Sequence, residues 1–189
     1  GLAIVLSVAA ALALSGCAGN AVVPTSYKSY NAKNGAFKID YPDGWTAEGG
    51  GNQQYAWAKF TSGQAEISVG TGISGSAIGD IAASQNRLGG DEGEVAEELA
   101  PVAKVHEFEQ AAFLQENSAK EQPPVKLDTG LGDSRKSEFT ASGSFGGATH
   151  GYRATALSRD YRVRVVCQCP EKEWAALKPV FDRVITSVS

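Results

Sequence analysis

The chain has 189 residues, 42% of them hydrophobic and 20% charged, with 17 basic against 21 acidic side chains and a net charge of −4. That balance excludes a disordered chain, and the length suits one compact domain with a sizeable core. Nucleic acid is not an expected partner, because a phosphate-binding groove needs a basic excess or a Lys/Arg-dense stripe.

Leu2 to Leu14 (LAIVLSVAAALAL) is an uncharged apolar run. It is too short to cross a hydrocarbon core of about 30 Å but has the length of a signal-peptide h-region. A start Met and a basic n-region are absent, so Gly1 reads as a trimmed beginning. The next residues, Leu14-Ser15-Gly16-Cys17, resemble the bacterial lipoprotein box, in which small residues admit a peptidase to the bond before an acylated Cys. The resemblance implies a signal peptide over residues 1–16, cleavage specified by Leu14, Ser15 and Gly16, and lipid on Cys17. Two or three acyl chains, at about 0.8 kcal/mol per buried methylene, are enough for stable anchoring. The expected location is the cell envelope, and in a diderm host Ala18 after the Cys favours the outer membrane. Residues 17–35, small and polar with Pro24, are expected to be a flexible tether.

The folded unit is expected over residues 36–189. Phe37, Ile39 and Tyr41 alternate with Lys38 and Asp40, and Pro42-Asp43-Gly44 then turns the chain, which predicts a one-faced strand. Tyr55–Phe60 and Ala65–Val69 predict two antiparallel strands around Thr61-Ser62-Gly63-Gln64. Helical spacing follows over Ser76–Leu88 and again over Glu94–Asn117, where Leu99, Val102, Val105, Phe108, Ala112 and Phe113 share a face and Pro101 marks a second start. Glu94, Glu97 and Glu98 stand near the beginning of that stretch, where the helix dipole favours them.

After Pro123-Pro124 the pattern returns to strands at Val125–Leu127, Ser134–Ala141, Thr149–Ser158 and Tyr161–Cys169. If Ser158 pairs with Tyr161, Ala154 and Ala156 fall opposite Val165 and Val163 and leave a low surface for a helix. The closing segment supplies one, with Trp174, Leu177, Phe181, Val184 or Ile185, and Val188 on one stripe and Pro179 as a kink or restart. Strands in two runs, with helices between and after them, predict an α+β fold in which helices sandwich an antiparallel sheet.

The opening Phe37-Lys38-Ile39-Asp40-Tyr41-Pro42-Asp43-Gly44-Trp45 and the closing Phe181-Asp182-Arg183-Val184-Ile185-Thr186-Ser187-Val188, downstream of a lipoprotein signal, resemble the PsbP-like superfamily. Its members open with F-x-(I/V)-x-Y-P-x-G-W and close with a helix of the F-x-x-(I/V)-(I/L)-x-S type. The resemblance covers about Phe37 to Ser189 and implies an α/β/α sandwich. The superfamily includes extrinsic photosystem subunits, a nuclear Ran-binding protein and many bacterial lipoproteins, most of whose characterised members bind or assemble. A long acidic helical insertion, about 91–122, departs from the pattern, and no functional residue is carried over.

Several short motifs have chemical readings. Gly70-Thr71-Gly72-Ile73-Ser74-Gly75 matches G-x-G-x-x-G. Ala65–Val69, however, alternates like a half-exposed strand, whereas a dinucleotide-binding first strand is nearly all apolar, so the segment reads as a strand-to-helix turn and no cofactor is expected. Asp128-Thr129-Gly130 resembles an aspartic-protease loop, but that chemistry needs two carboxylates sharing a proton and there is one copy. His106 and His150 are the chain's two histidines, no Ser stands in a G-x-S-x-G elbow, and a lone C-x-C does not make a closed zinc site. Cys167 and Cys169, on the core face of a strand, read as two buried thiols, because i and i+2 alpha carbons about 6.5–7 Å apart strain a disulfide.

Arg153, Arg162 and Arg164 share the polar face of the last hairpin with Thr155 and form a candidate anion- or partner-binding surface, unless the acidic helix of Glu94, Glu97 and Glu98 covers them. The functional expectation is a membrane-anchored, non-catalytic binding or assembly module whose partners are lipid, through Cys17, and another protein. The alternative is an extracytoplasmic hydrolase or redox enzyme using Asp128, a histidine or the Cys167/Cys169 pair.

Overall fold

The computed structural model describes residues 19–74, 101–142 and 147–189. The alternation at Phe37–Tyr41 builds strand β2 (Lys38–Pro42), with Phe37 and Ile39 buried. The turn after it is closed by the Trp45 N–H donating to Pro42 O over 3.2 Å. β2 pairs antiparallel with β1 (Tyr27–Asn31), Tyr30 standing opposite Ile39. This corrects the flexible tether expected over 17–35, since its second half is a strand of the domain. The cause is aromatic packing that a polar composition hides: the Tyr30 ring lies 6.1 Å from Phe37 and 5.7 Å from Phe60 between centroids.

Among the described residues eight strands form one antiparallel sheet in the order β3-β4-β5-β10-β9-β8-β6, with β7 also pairing β8. They are β3 (Thr46–Gly51), β4 (Ala56–Ser62), β5 (Ala65–Ile73), β6 (Ala119–Glu121), β7 (Val125–Thr129), β8 (Gly132–Ser142), β9 (Ala148–Leu157) and β10 (Tyr161–Pro170). The β9–β10 hairpin has the expected register: the Ser158 N–H donates to Tyr161 O over 2.8 Å, and Ala156 and Ala154 face Val163 and Val165. β5 meets β10 at the middle of the sheet, Val69 opposite Val165.

That pairing extends β5 through Gly70, Thr71, Gly72 and Ile73, which stand opposite Arg164, Val163, Arg162 and Tyr161. The turn expected over Gly70–Gly75 is therefore mostly strand, its backbone committed to the ladder.

The two sheet faces differ in chemistry. One presents Ala56, Ala58, Phe60, Ile67, Val69, Ala154, Ala156, Val163, Val165, Cys167 and Cys169, all buried. Helix α3 (Trp174–Thr186) covers it with Trp174, Leu177, Val180, Phe181, Val184 and Ile185, and the β1–β2 hairpin lies beside it. Pro179 sits inside α3 without ending it. At the chain's end Lys38 and Ser189 exchange backbone hydrogen bonds of 2.6 and 3.0 Å.

The opposite face is covered over β8 and β9 by α1 (Pro101–Phe108) and α2 (Gln110–Asn117). The helical stretch expected over Glu94–Asn117 is divided at Glu109, and two residues of its expected face are exposed. Val102, Val105, His106 and Phe113 are buried on one stripe that runs on through the junction, where the Glu109 N–H donates to Val105 O and the Phe113 N–H to Glu109 O, whereas Phe108, 47% exposed, and Ala112 fall off that stripe. Ser76–Leu88, Glu94, Glu97 and Glu98 lie outside the described residues, as does the first part of the 91–122 insertion.

Candidate functional site

Strand register puts Arg153, Thr155, Arg162 and Arg164 on one face, as the alternation requires, but Arg153 is no surface residue. It is 0% exposed beneath α1 and α2. Its Nε and Nη2 donate to Glu121 Oε1 and Oε2 over 2.7 and 2.9 Å, and Nη1 donates to His106 O over 2.9 Å. The guanidinium also lies 5.4 Å from the centre of the Phe113 ring. Desolvating two charges is offset here by a two-point bond and a third acceptor, which is what a buried pair requires.

Arg162 pairs with Glu109, at the α1–α2 junction. Its guanidinium crosses Gly72, where a Cβ would stand 2.7 Å from Nη2, so a side chain there would push the guanidinium aside. Arg164, half-buried, stands on the central strand between Gly70 and Thr155. The proposed Arg surface is thus corrected: two of its three members bind the helical insertion to the sheet.

His106 belongs to the same seam. Its Nδ1 is 2.9 Å from Thr155 Oγ1 and its Nε2 is 2.8 Å from Ser137 Oγ, with 1% of the residue exposed. Burial, then the charges of Arg153 and Arg135, push its pKa down to about 3. A neutral imidazole with both nitrogens engaged holds α1 to β8 and β9 and exchanges no proton near neutrality.

Asp128 is exposed on β7, opposite Asp133. Asp133 is held below the usual carboxylate range chiefly by Arg135, whose Nη1 donates over 2.5 Å. Cys167 and Cys169 are free thiols, 0% exposed on the α3 side. Burial pushes Cys167 far up and, with Glu173 and Glu171, pushes Cys169 up to about 12. His150 bridges two carboxylates, Nε2 to Glu138 Oε1 and Nδ1 to Glu171 Oε2, both at 2.8 Å. Burial raises the Glu138 pKa, but bonds from Lys178 and His150 outweigh it and hold the group low. Among the described residues no three His, Cys, Asp or Glu side chains are arranged to hold a metal ion. Cys17 and the Leu14, Ser15 and Gly16 cleavage motif lie outside the described residues.

What the sequence did not signal is a cleft of about 920 Å³ at one end of the sheet. The β4–β5 hairpin contributes Gln64 and Glu66, α2 ends there at Glu116 and Asn117, and β10 adds Gln168. Ser118, at φ 49°, turns the chain from α2 into β6 and closes that wall. Amides, hydroxyls and two carboxylates converge from elements distant in sequence, which is why no local motif marks them. Such a lining offers hydrogen bonds to a polar or basic group.

The antiparallel sheet between helices defines an α+β sandwich, and comparison with known structures places it in one fold class. The chain superposes on the cyanobacterial PsbP protein of Synechocystis sp. PCC 6803 with a TM-score of 0.54, over 93% of this chain and 98% of that one, at 14% identity. It is also similar to LpqN of Mycobacterium tuberculosis, described as involved in cell envelope biogenesis, with a TM-score of 0.49 over 87% and 90% at 11% identity. The fold is PsbP-like. No protein-family model matches the chain, and no curated protein matches its sequence. Among the described residues no helix is long and apolar enough to cross a membrane.

Proposed function

We propose that this chain is a lipid-anchored, extracytoplasmic module that binds or assembles another component of the cell envelope without catalysing a reaction. The observation that carries the reading is the polar cleft on a PsbP-like scaffold, since a concave surface with convergent polar groups is where a domain presents chemistry to a partner. The surroundings of the catalytic candidates support it. His106 is locked between two hydroxyls, His150 is held between two carboxylates, and both thiols are buried. Anchoring is supported by the Leu2–Leu14 run and Leu14-Ser15-Gly16-Cys17.

The test is capture of partners from the protein's own membranes by the full chain, alongside Glu66→Gln and Glu116→Gln. The expected outcome is a partner retained by the native chain and lost from the double variant. Turnover of a substrate that Asp128→Ala abolishes, with no partner recovered, overturns the reading. Fatty-acid labelling that persists in Cys17→Ser overturns the anchoring.

A further inference from the structure

Residues Gly19 to Ser26, read from composition as a leash, are bonded along one end of the domain. The Ala21 N–H donates to Glu173 Oε2 over 3.0 Å and the Val22 N–H to Ser62 Oγ over 2.9 Å. Trp45 Nε1–H donates to Val22 O over 2.9 Å, and the Asp43 N–H donates to Ser26 O over 2.9 Å. Gly63, at φ +57°, turns β4 into β5 directly beneath this segment, and a Cβ on it would lie 2.3 Å from Gly19 O. The bonds come from four separate places on the domain: the β2–β3 turn, the residue after it, the end of β4 and the residue before α3. Between them Val22 and Val23 stand 55% and 53% exposed.

Cys17 precedes Gly19 by two residues, a reach of about 7 Å even when fully extended. A swinging tether needs length, because a flexible segment spans only about 5–6 Å times the square root of its residue count. We propose that the domain sits directly on the bilayer in one orientation, with the Val22–Val23 corner against the lipid and the Arg159–Asp160 turn pointing away. The inference rests on the proposed acylation of Cys17. β10 runs between the two ends, and its ten residues at about 3.3 Å each separate them by about 33 Å. Glu116, Glu171 and Glu173 stand at the lipid-facing end beside the exposed Lys172, and Glu66 is paired there with Lys59, so that end carries charge of both signs and the contact is made by the anchor and the two valines. The polar cleft is at that same end, beside the membrane surface.

The experiment uses the full lipidated chain in phosphatidylcholine vesicles carrying spin-labelled headgroups. A bimane probe is placed at Val23→Cys in one sample and at Asp160→Cys in another, the native Cys167 and Cys169 being buried. The Val23 probe is expected to lose most of its emission while the Asp160 probe keeps its own. A flexible Gly/Ser insert between Ala18 and Gly19 should erase that difference with the protein still floating with the vesicles. Equal quenching at both positions in the native-length chain, or stronger quenching at Asp160, overturns the docked orientation. If the chain fails to float and its N-terminal peptide carries no acyl mass, the anchoring itself is overturned, a result distinct from a floating chain with equal quenching.

Discussion

His150 lies flat on Trp174, ring centroids 4.0 Å apart and planes within 10° of parallel. The same imidazole reaches Glu138 on β8 and Glu171 just before α3, so one side chain joins two strands to the start of the helix. Trp174→Ala should destabilise the domain by about 3–5 kcal/mol, and His150→Ala by about 2 kcal/mol. The double variant should be less destabilised than the sum by about 1 kcal/mol, which urea unfolding of the four proteins measures. An additive result would mean that the stack contributes nothing of its own.

Glu121→Ala leaves Arg153 charged and fully buried with one acceptor remaining, and should destabilise by about 3–5 kcal/mol. Replacing both members, Glu121→Leu with Arg153→Met, should recover most of that loss, because no charge then remains inside. Thermal unfolding followed by circular dichroism compares the three. A double variant no better than Glu121→Ala would show that packing, not charge, governs the seam.

His106 has a pH signature. Its folded pKa of about 3 lies below the unfolded value near 6.5, so between those limits the unfolded chain binds the extra proton and acid favours unfolding. Stability contributed by the neutral imidazole is complete above pH 6.5 and is lost, by about 1.4 kcal/mol per pH unit, as pH falls toward 3. Urea midpoints at pH 7 and pH 5 should differ accordingly, and His106→Gln should flatten the difference. An unchanged slope in that variant would assign the acid sensitivity elsewhere.

Cys167 and Cys169 should resist maleimide at pH 8 in the native domain and react together after unfolding, since burial disfavours both thiolates and blocks access. Mass spectrometry counts the adducts. Rapid native labelling would contradict the burial under α3, and a mass two units low would reveal a bridge.

The legible parts of this fold are those whose burial is one-sided and local. Val163, Val165, Cys167 and Cys169 alternate with polar residues, and Ser158 and Tyr161 close their hairpin, so face and register followed from spacing alone. β3 reads Thr-Ala-Glu-Gly-Gly-Gly and carries no such signal; it forms because β4 supplies its partner. β1 was hidden likewise, its Tyr30 finding Phe37 and Phe60 only in three dimensions. The Arg row was placed on the correct face, yet Glu121, 32 residues from Arg153, could not be matched to it by spacing, because a buried cation and a solvated one look alike on a polar strand face.

The central pairing of β5 with β10 sets an order of events for the newborn chain. β3, β4 and β5 are complete early, but the strand that covers the inner edge of β5 arrives about a hundred residues later, and Lys38, although β2 already pairs with β1, exchanges backbone bonds with Ser189. A chain synthesised amino end first therefore carries a half-sheet with an open edge until β10 emerges. Such an edge is where mispairing with another chain begins, so the interval before β10 arrives is the one in which the nascent domain depends on holding factors.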